Sequence, residues 1–174
     1  MNKLKKHFKN NLPIYAVLIA CIAILCVAIF VTHEEEVPKV DTSRFEVVTL
    51  KETLEMFEDP SPKLLIIGLN TCTATINYVP YLQYAQIENG FKTYYLELDD
   101  ITGDQIDDYN KLVEKLDFEY NFMGETDQFG KFIGSTPMTV IIKNKKQVFG
   151  YIGSMNTSSL ASITKLHGVA TKEE

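Results

Sequence analysis

The sequence predicts an α/β domain, with a mixed central sheet flanked by helices, carried on one N-terminal transmembrane helix. Three observations predict it. Runs of strand length alternate with stretches of helical period, in the order strand, helix, strand, helix, strand, helix, strand, strand, helix. Helices between strands imply crossovers and a largely parallel core, and the last two adjacent strands add an antiparallel edge. An uncharged run from Leu12 to Val31 precedes all of them.

That run would extend about 30 Å as a helix, the thickness of a bilayer core. Pro13 stands at its first turn, where a missing N–H costs nothing, and Tyr15 suits an interface. Lys3, Lys5, Lys6 and Lys9 precede the run and Glu34-Glu35-Glu36 follow it. This asymmetry predicts a cytoplasmic N-terminus and an extracytoplasmic C-terminal domain. Residues 1–11 are then a basic tail, 12–31 the span, 32–45 a polar linker containing Pro38, and 46–174 the folded domain. A signal peptide is the rival reading, but the apolar stretch outruns an ordinary signal core. Leu18-Ile19-Ala20-Cys21 also resembles a lipoprotein box, although the ten residues after Cys21 stay apolar where lipoproteins turn polar. Either way the domain is tethered on the outer face.

The chain carries 17 basic and 23 acidic residues. Four of the basic ones lie in the tail, so the remainder is strongly acidic. No basic patch with interleaved aromatics occurs, which disfavours nucleic acid as a partner.

Within the domain, Phe45 to Leu50 is a short strand candidate. Lys51 to Phe57 follows as a brief amphipathic helix, stopped by Asp59-Pro60-Ser61-Pro62. Leu64 to Gly68 is continuously apolar, as expected of a central strand covered on both faces. The helix after Cys72 carries Ile76, Val79, Leu82 and Ile87 and ends at Asn89-Gly90. Thr93 to Leu98 is a strand. Asp104 to Leu116 is a helix presenting Ile106, Tyr109, Leu112, Val113 and Leu116 on one face. Phe118 to Gly134 shows no clean period, and its aromatics read equally as a partner surface or as packing under a long loop. Met138 to Lys143 and Gln147 to Ile152 form a hairpin across Asn144-Lys145-Lys146. A last helix runs from Thr157, capped by Asn156, to His167-Gly168.

Cysteine usage narrows the chemistry. Cys21 and Cys26 lie in the apolar run and read as filler. Cys72 is the only cysteine after it, so the domain holds no internal disulfide. A single cysteine in an exported domain implies intermolecular pairing, a free reactive thiol or an inert remnant. Thr75 stands one helical turn on, where its hydroxyl either serves the sulfur or bonds back to the helix. Asp99, Asp100, Asp104, Asp107 and Asp108 lack calcium-loop spacing and read as a solvated face. No three-ligand metal set and no glycine-rich phosphate loop occur.

An apolar strand running into Cys72 and a helix, Pro80 eight residues further on, Thr136-Pro137 opening a second apolar strand, and Gly153 after the hairpin together resemble the thioredoxin superfamily. The nearest look within it is the bacteriocin transport accessory group of Gram-positive bacteria. The resemblance covers about residues 46–167. It implies that Cys72 is the nucleophile at a helix N-terminus and that Pro80 kinks this helix. It further implies that Thr136-Pro137 is a cis-proline loop whose Thr136 backbone holds an extended substrate peptide. No cofactor is implied. The family's second cysteine falls at Thr75, its buried carboxylate at Ile66, and its active-site aromatic at Thr71; Thr73-Ala74 replace glycine-proline. Two functions follow from this pattern. One is monothiol exchange with thiols of exported peptides or bacteriocins, through a Cys-x-x-Thr site. The other is a non-catalytic binding or chaperone module of an export system, with Cys72 incidental. A purely structural subunit of an export complex would rest on the aromatic loop instead.

Overall fold

The computed structural model describes residues 16–26 and 38–172. Residues 16–26 form helix α1, whose side chains, Ile22 and Ile24 among them, are exposed. Among the described residues no helix is long and apolar enough to cross a membrane. The remainder of the expected span, the basic tail and residues 32–37 of the expected linker lie outside the described residues.

Residues 38–172 form a separate unit. Its elements are β1 (Glu46–Val48), α2 (Leu50–Met56), β2 (Lys63–Gly68), α3 (Thr73–Asn89), β3 (Thr93–Glu97), α4 (Ile106–Lys115), β4 (Glu119–Phe122), β5 (Glu125–Gln128), β6 (Met138–Lys143), β7 (Lys146–Ile152) and α5 (Thr157–His167). The main sheet has the order β1-β3-β2-β6-β7. β1 and β2 run parallel to β3, while β6 runs antiparallel to both β2 and β7.

The alternation of β2 divides the core. Leu65 and Ile67 face one layer with Phe57, Leu112, Leu116 and Phe129. Leu64 and Ile66 face the other, with Tyr78, Leu82, Tyr95 and Leu160. All four β2 side chains are fully buried, as a two-sided central strand requires.

Local chemistry sets the helix ends. Thr49 accepts from the Glu52 N–H at 3.2 Å and the Glu52 carboxylate accepts from the Thr49 N–H at 2.7 Å, a capping box that starts α2. Leu50 belongs to this helix, so β1 is shorter than its apolar run. Asn156 accepts from the Ser159 N–H at 2.8 Å and starts α5. Asn156→Ala is expected to cost about 1 kcal/mol, read as a lower midpoint in urea unfolding with an unchanged slope.

Four details differ from the sequence reading. Ile87 is 46% exposed, because the buried stripe of α3 runs through Thr75, Tyr78, Val79, Leu82 and Ala85, and Ile87 falls on the opposite side. Ile106 is likewise exposed, since a 3₁₀ turn at Gly103–Gln105 precedes α4 and rotates its first residue outward. The region Phe118 to Gly134 contains the hairpin β4–β5, whose turn places Met123 and Gly124 at φ 54° and 88°. Four of its aromatics pack together, Tyr120 meeting Phe129 edge-on at 5.1 Å and Phe122 meeting Phe132 at 5.7 Å, while Phe118 is exposed. Finally, Val40, assigned to the linker, is buried, and its N–H donates to the Asn70 carbonyl at 3.0 Å.

Candidate functional site

The site forms where β2 ends and α3 begins. Leu69 accepts from the Cys72 N–H at 3.1 Å, closing a turn that delivers Cys72 to the N-cap of α3. Cys72 has an extended backbone, φ −72° and ψ 116°, and its side chain makes no capping bond. The unpaired N–H groups and the positive dipole end of the helix are therefore left to its sulfur.

Thr136 approaches from the other side of the sequence. Its peptide bond to Pro137 is cis, and its carbonyl oxygen lies 3.7 Å from Cys72 Sγ, where it accepts from the protonated thiol. The Thr136 hydroxyl acts the other way and favours the thiolate. The Pro137 carbonyl accepts from the Gly153 N–H at 2.8 Å, and Gly153 sits at φ 106°, a conformation that suits glycine alone. The loop that carries Thr136 is thus pinned to the end of β7.

Thr75 is fully buried, and its hydroxyl has no hydrogen-bond partner among the described residues. This is unusual for a helical threonine in this chain. Thr53 bonds back to the Thr49 carbonyl at 2.9 Å and Thr164 to the Leu160 carbonyl at 2.7 Å. The Thr75 side chain nevertheless favours the charged form of Cys72. The backward bond that the sequence left open is not made.

These groups compete over one proton. Burial pushes the Cys72 thiol up, but the Thr136 hydroxyl, the Thr75 N–H and hydroxyl and the Ala74 N–H together outweigh it. The net result holds Cys72 below the ordinary thiol value.

Cys72, Thr75, Thr136, Pro137 and Gly153 thus converge. Pro80 does not: it lies inside α3, exposed, two turns beyond the site. The sequence reading missed Gly68, Asn70 and Tyr95. The Tyr95 hydroxyl donates to Asn70 Oδ1 at 3.2 Å, just beneath the Cys72 turn. Register was the only signal available for it, since β2 and β3 pair Ile66 with Tyr95. Ile66 itself is buried and apolar, so no carboxylate lies in the central strand at that point. Among the described residues no cluster of His, Cys, Asp or Glu could hold a metal ion. His167 ends α5, where burial and then the Lys143 charge disfavour its cation.

No family model matches the sequence, and no curated protein does. Among solved structures, a thioredoxin from Plasmodium falciparum is 14% identical, covering 70% of this chain and 98% of its own, at a TM-score of 0.48. An uncharacterised thioredoxin-like protein from Clostridium perfringens is 20% identical, covering 79% and 92%, at 0.47. A thioredoxin from Aeropyrum pernix is 16% identical, covering 68% and 83%, also at 0.47. At such scores the assignment rests on strand order and sense: in the order β1-β3-β2-β6-β7, four strands run one way and β6 alone opposes them. The fold is thioredoxin-like.

A partly buried cysteine at a helix N-terminus, with neighbours that favour its thiolate, suits thiol chemistry. The arrangement can stabilise one thiolate and place a peptide backbone beside it. It offers no second sulfur.

Proposed function

We propose that Cys72 is the nucleophile of a monothiol exchange on the extracytoplasmic face, in a chain tethered to the cell membrane through residues 12–31. The observation that carries this reading is the meeting of Cys72, at the N-terminus of α3, with the Thr136 loop, whose carbonyl lies 3.7 Å from Sγ.

The chemistry runs in two balanced steps. The Cys72 thiolate attacks one sulfur of a substrate disulfide, the Cys72–substrate S–S bond forms, and the other sulfur leaves as a thiolate that takes a proton from water. An external thiolate then attacks the mixed disulfide at the substrate sulfur, a new disulfide forms, and Cys72 leaves as a thiolate. Thr75 cannot perform the second step, so the resolving thiol comes from outside. The substrate backbone lies against Thr136, whose N–H has no partner among the described residues and is free to pair with an extended strand. Cysteines of exported peptides, including bacteriocins, are the substrates this location favours.

Incubation of the full chain, with Cys21 and Cys26 changed to serine, with a disulfide-bonded peptide tests this. The expected product is one mixed disulfide per chain, located at Cys72 by mass spectrometry and released by glutathione. Absence of any adduct over hours at pH 7 would remove the exchange reading.

The free Thr136 N–H also favours a second reading, a peptide-binding module that holds exported chains without exchanging thiols. Peptide capture at equal affinity by a chain lacking Cys72 would select it.

A further inference from the structure

The layer beneath Cys72 is mostly apolar. Ile66, Leu64, Tyr78 and Leu82 fill it, and the Tyr78 hydroxyl is spoken for by Thr139 Oγ1 at 3.0 Å. Tyr95 is fully buried in the same layer, its ring stacked on Phe45 with centroids 6.3 Å apart. Its hydroxyl emerges at Gly68, two residues along β2 from Ile66 and so on the same face. A Cβ at position 68 would stand 2.8 Å from the Tyr95 oxygen and 2.9 Å from the Thr75 methyl. Gly68 is therefore the opening through which Tyr95 reaches the turn that carries Cys72. There it donates to Asn70 Oδ1, while the backbone carbonyl of Asn70 is held by the Val40 N–H.

We propose that Tyr95, admitted by Gly68, is a positioning residue that fixes the Asn70 turn and so holds Cys72 Sγ against Thr75 and Thr136. The inference rests on the exchange reading and names a residue that reading does not use. It is specific in its physics. Cys72 is the N-cap and Thr75 follows it by one turn, so their approach depends on the path of residues 69–72. A hydrogen bond from a rigid aromatic anchored in the core fixes that path at the cost of few rotatable bonds. Burial, and then the nearby carboxylates of Glu97 and Asp99 and the Cys72 charge, push the phenol up, so it stays protonated and acts as a donor. Glu97 is itself pushed up by burial and by Asp100 and Asp99, with Lys39 opposing.

The test is the midpoint pH of Cys72 alkylation by iodoacetamide in the full chain, with Cys21 and Cys26 changed to serine. Tyr95→Phe keeps the ring and removes the hydroxyl; Asn70→Ala removes the acceptor; Gly68→Ala closes the opening. Each is expected to raise the midpoint by about half a pH unit or more, because misalignment costs the thiolate its donors. Tyr78→Phe removes a buried hydroxyl from the same layer and is expected to lower stability without moving the midpoint. A depressed midpoint in the parent chain that stays put in both Tyr95→Phe and Asn70→Ala would overturn the positioning role alone. A parent midpoint at or above about 8.5, the free-thiol value, would overturn the exchange reading and this inference with it. Three variants at separate positions keep the result readable if one fails to fold.

Discussion

Cys72→Ser is expected to abolish mixed-disulfide formation entirely while leaving the unfolding midpoint nearly unchanged. The hydroxyl of serine is a poor nucleophile at neutral pH, and no base stands near enough to activate it. Among the described residues no His is among the groups that act on Cys72; besides the Thr136 carbonyl, the groups about it favour a charge already formed. The stability effect is small because Cys72 is only partly buried and its side chain caps nothing. Peptide exchange followed by mass spectrometry, alongside urea unfolding, checks both halves. A serine variant that retains exchange would place the chemistry elsewhere.

Thr75→Val is expected to stabilise the fold and weaken the site together. Valine matches threonine in shape and removes the one hydroxyl that α3 buries without a partner. Relief of that unsatisfied group is expected to raise stability by about 1–2 kcal/mol. The same change takes a donor from the Cys72 thiolate, so the alkylation midpoint moves up. The sign of the pH effect follows. A group whose folded pKa is depressed contributes stability that is present above its unfolded value and lost as pH falls through its folded value. The parent chain therefore gains stability from Cys72 across the interval between its folded pKa and the unfolded value near 8.5, and Thr75→Val narrows that interval. Urea unfolding at pH 6 and pH 9 measures this. Opposite changes in stability and thiolate reactivity from one isosteric substitution distinguish a functional hydroxyl from a packing residue, for which both would fall.

Much of the fold was legible because its signals are local. β2 announces itself by a continuous apolar run, which only a doubly covered strand can use. The ends of α3 and α5 follow from Gly90 and Gly168 at φ 65° and 74°, where a helix closes in a left-handed residue. The hairpin β6–β7 was legible from its polar turn, although Asn144 and Lys145 both adopt positive φ without glycine.

The hairpin β4–β5 was not legible, because the Met123-Gly124 turn carries half of the usual signal and its strands expose most of their residues on both sides. The buried face of α3 was misread at Ile87, since Tyr78 takes the core position and a tyrosine does not advertise burial. The candidate site divides in the same way. Cys72 and Thr75 were legible as a lone cysteine with a hydroxyl one turn on, while Thr136 came only from the family resemblance. Tyr95 and Gly68 were not, because their roles depend on strand register and on the space left by a missing side chain. Val40 was hidden for the same reason: a linker residue is buried only if a partner such as Asn70 waits for it.

The measurement that bears most directly on the account is the pH dependence of Cys72 alkylation in the parent chain, with Cys21 and Cys26 changed to serine. A midpoint clearly below the free-cysteine value of about 8.5, with a rate that follows the thiolate fraction, is the predicted result. A slow reaction with its midpoint at or above that value would contradict an activated thiolate, and the Thr136 loop would then stand as a peptide-binding edge beside an inert cysteine.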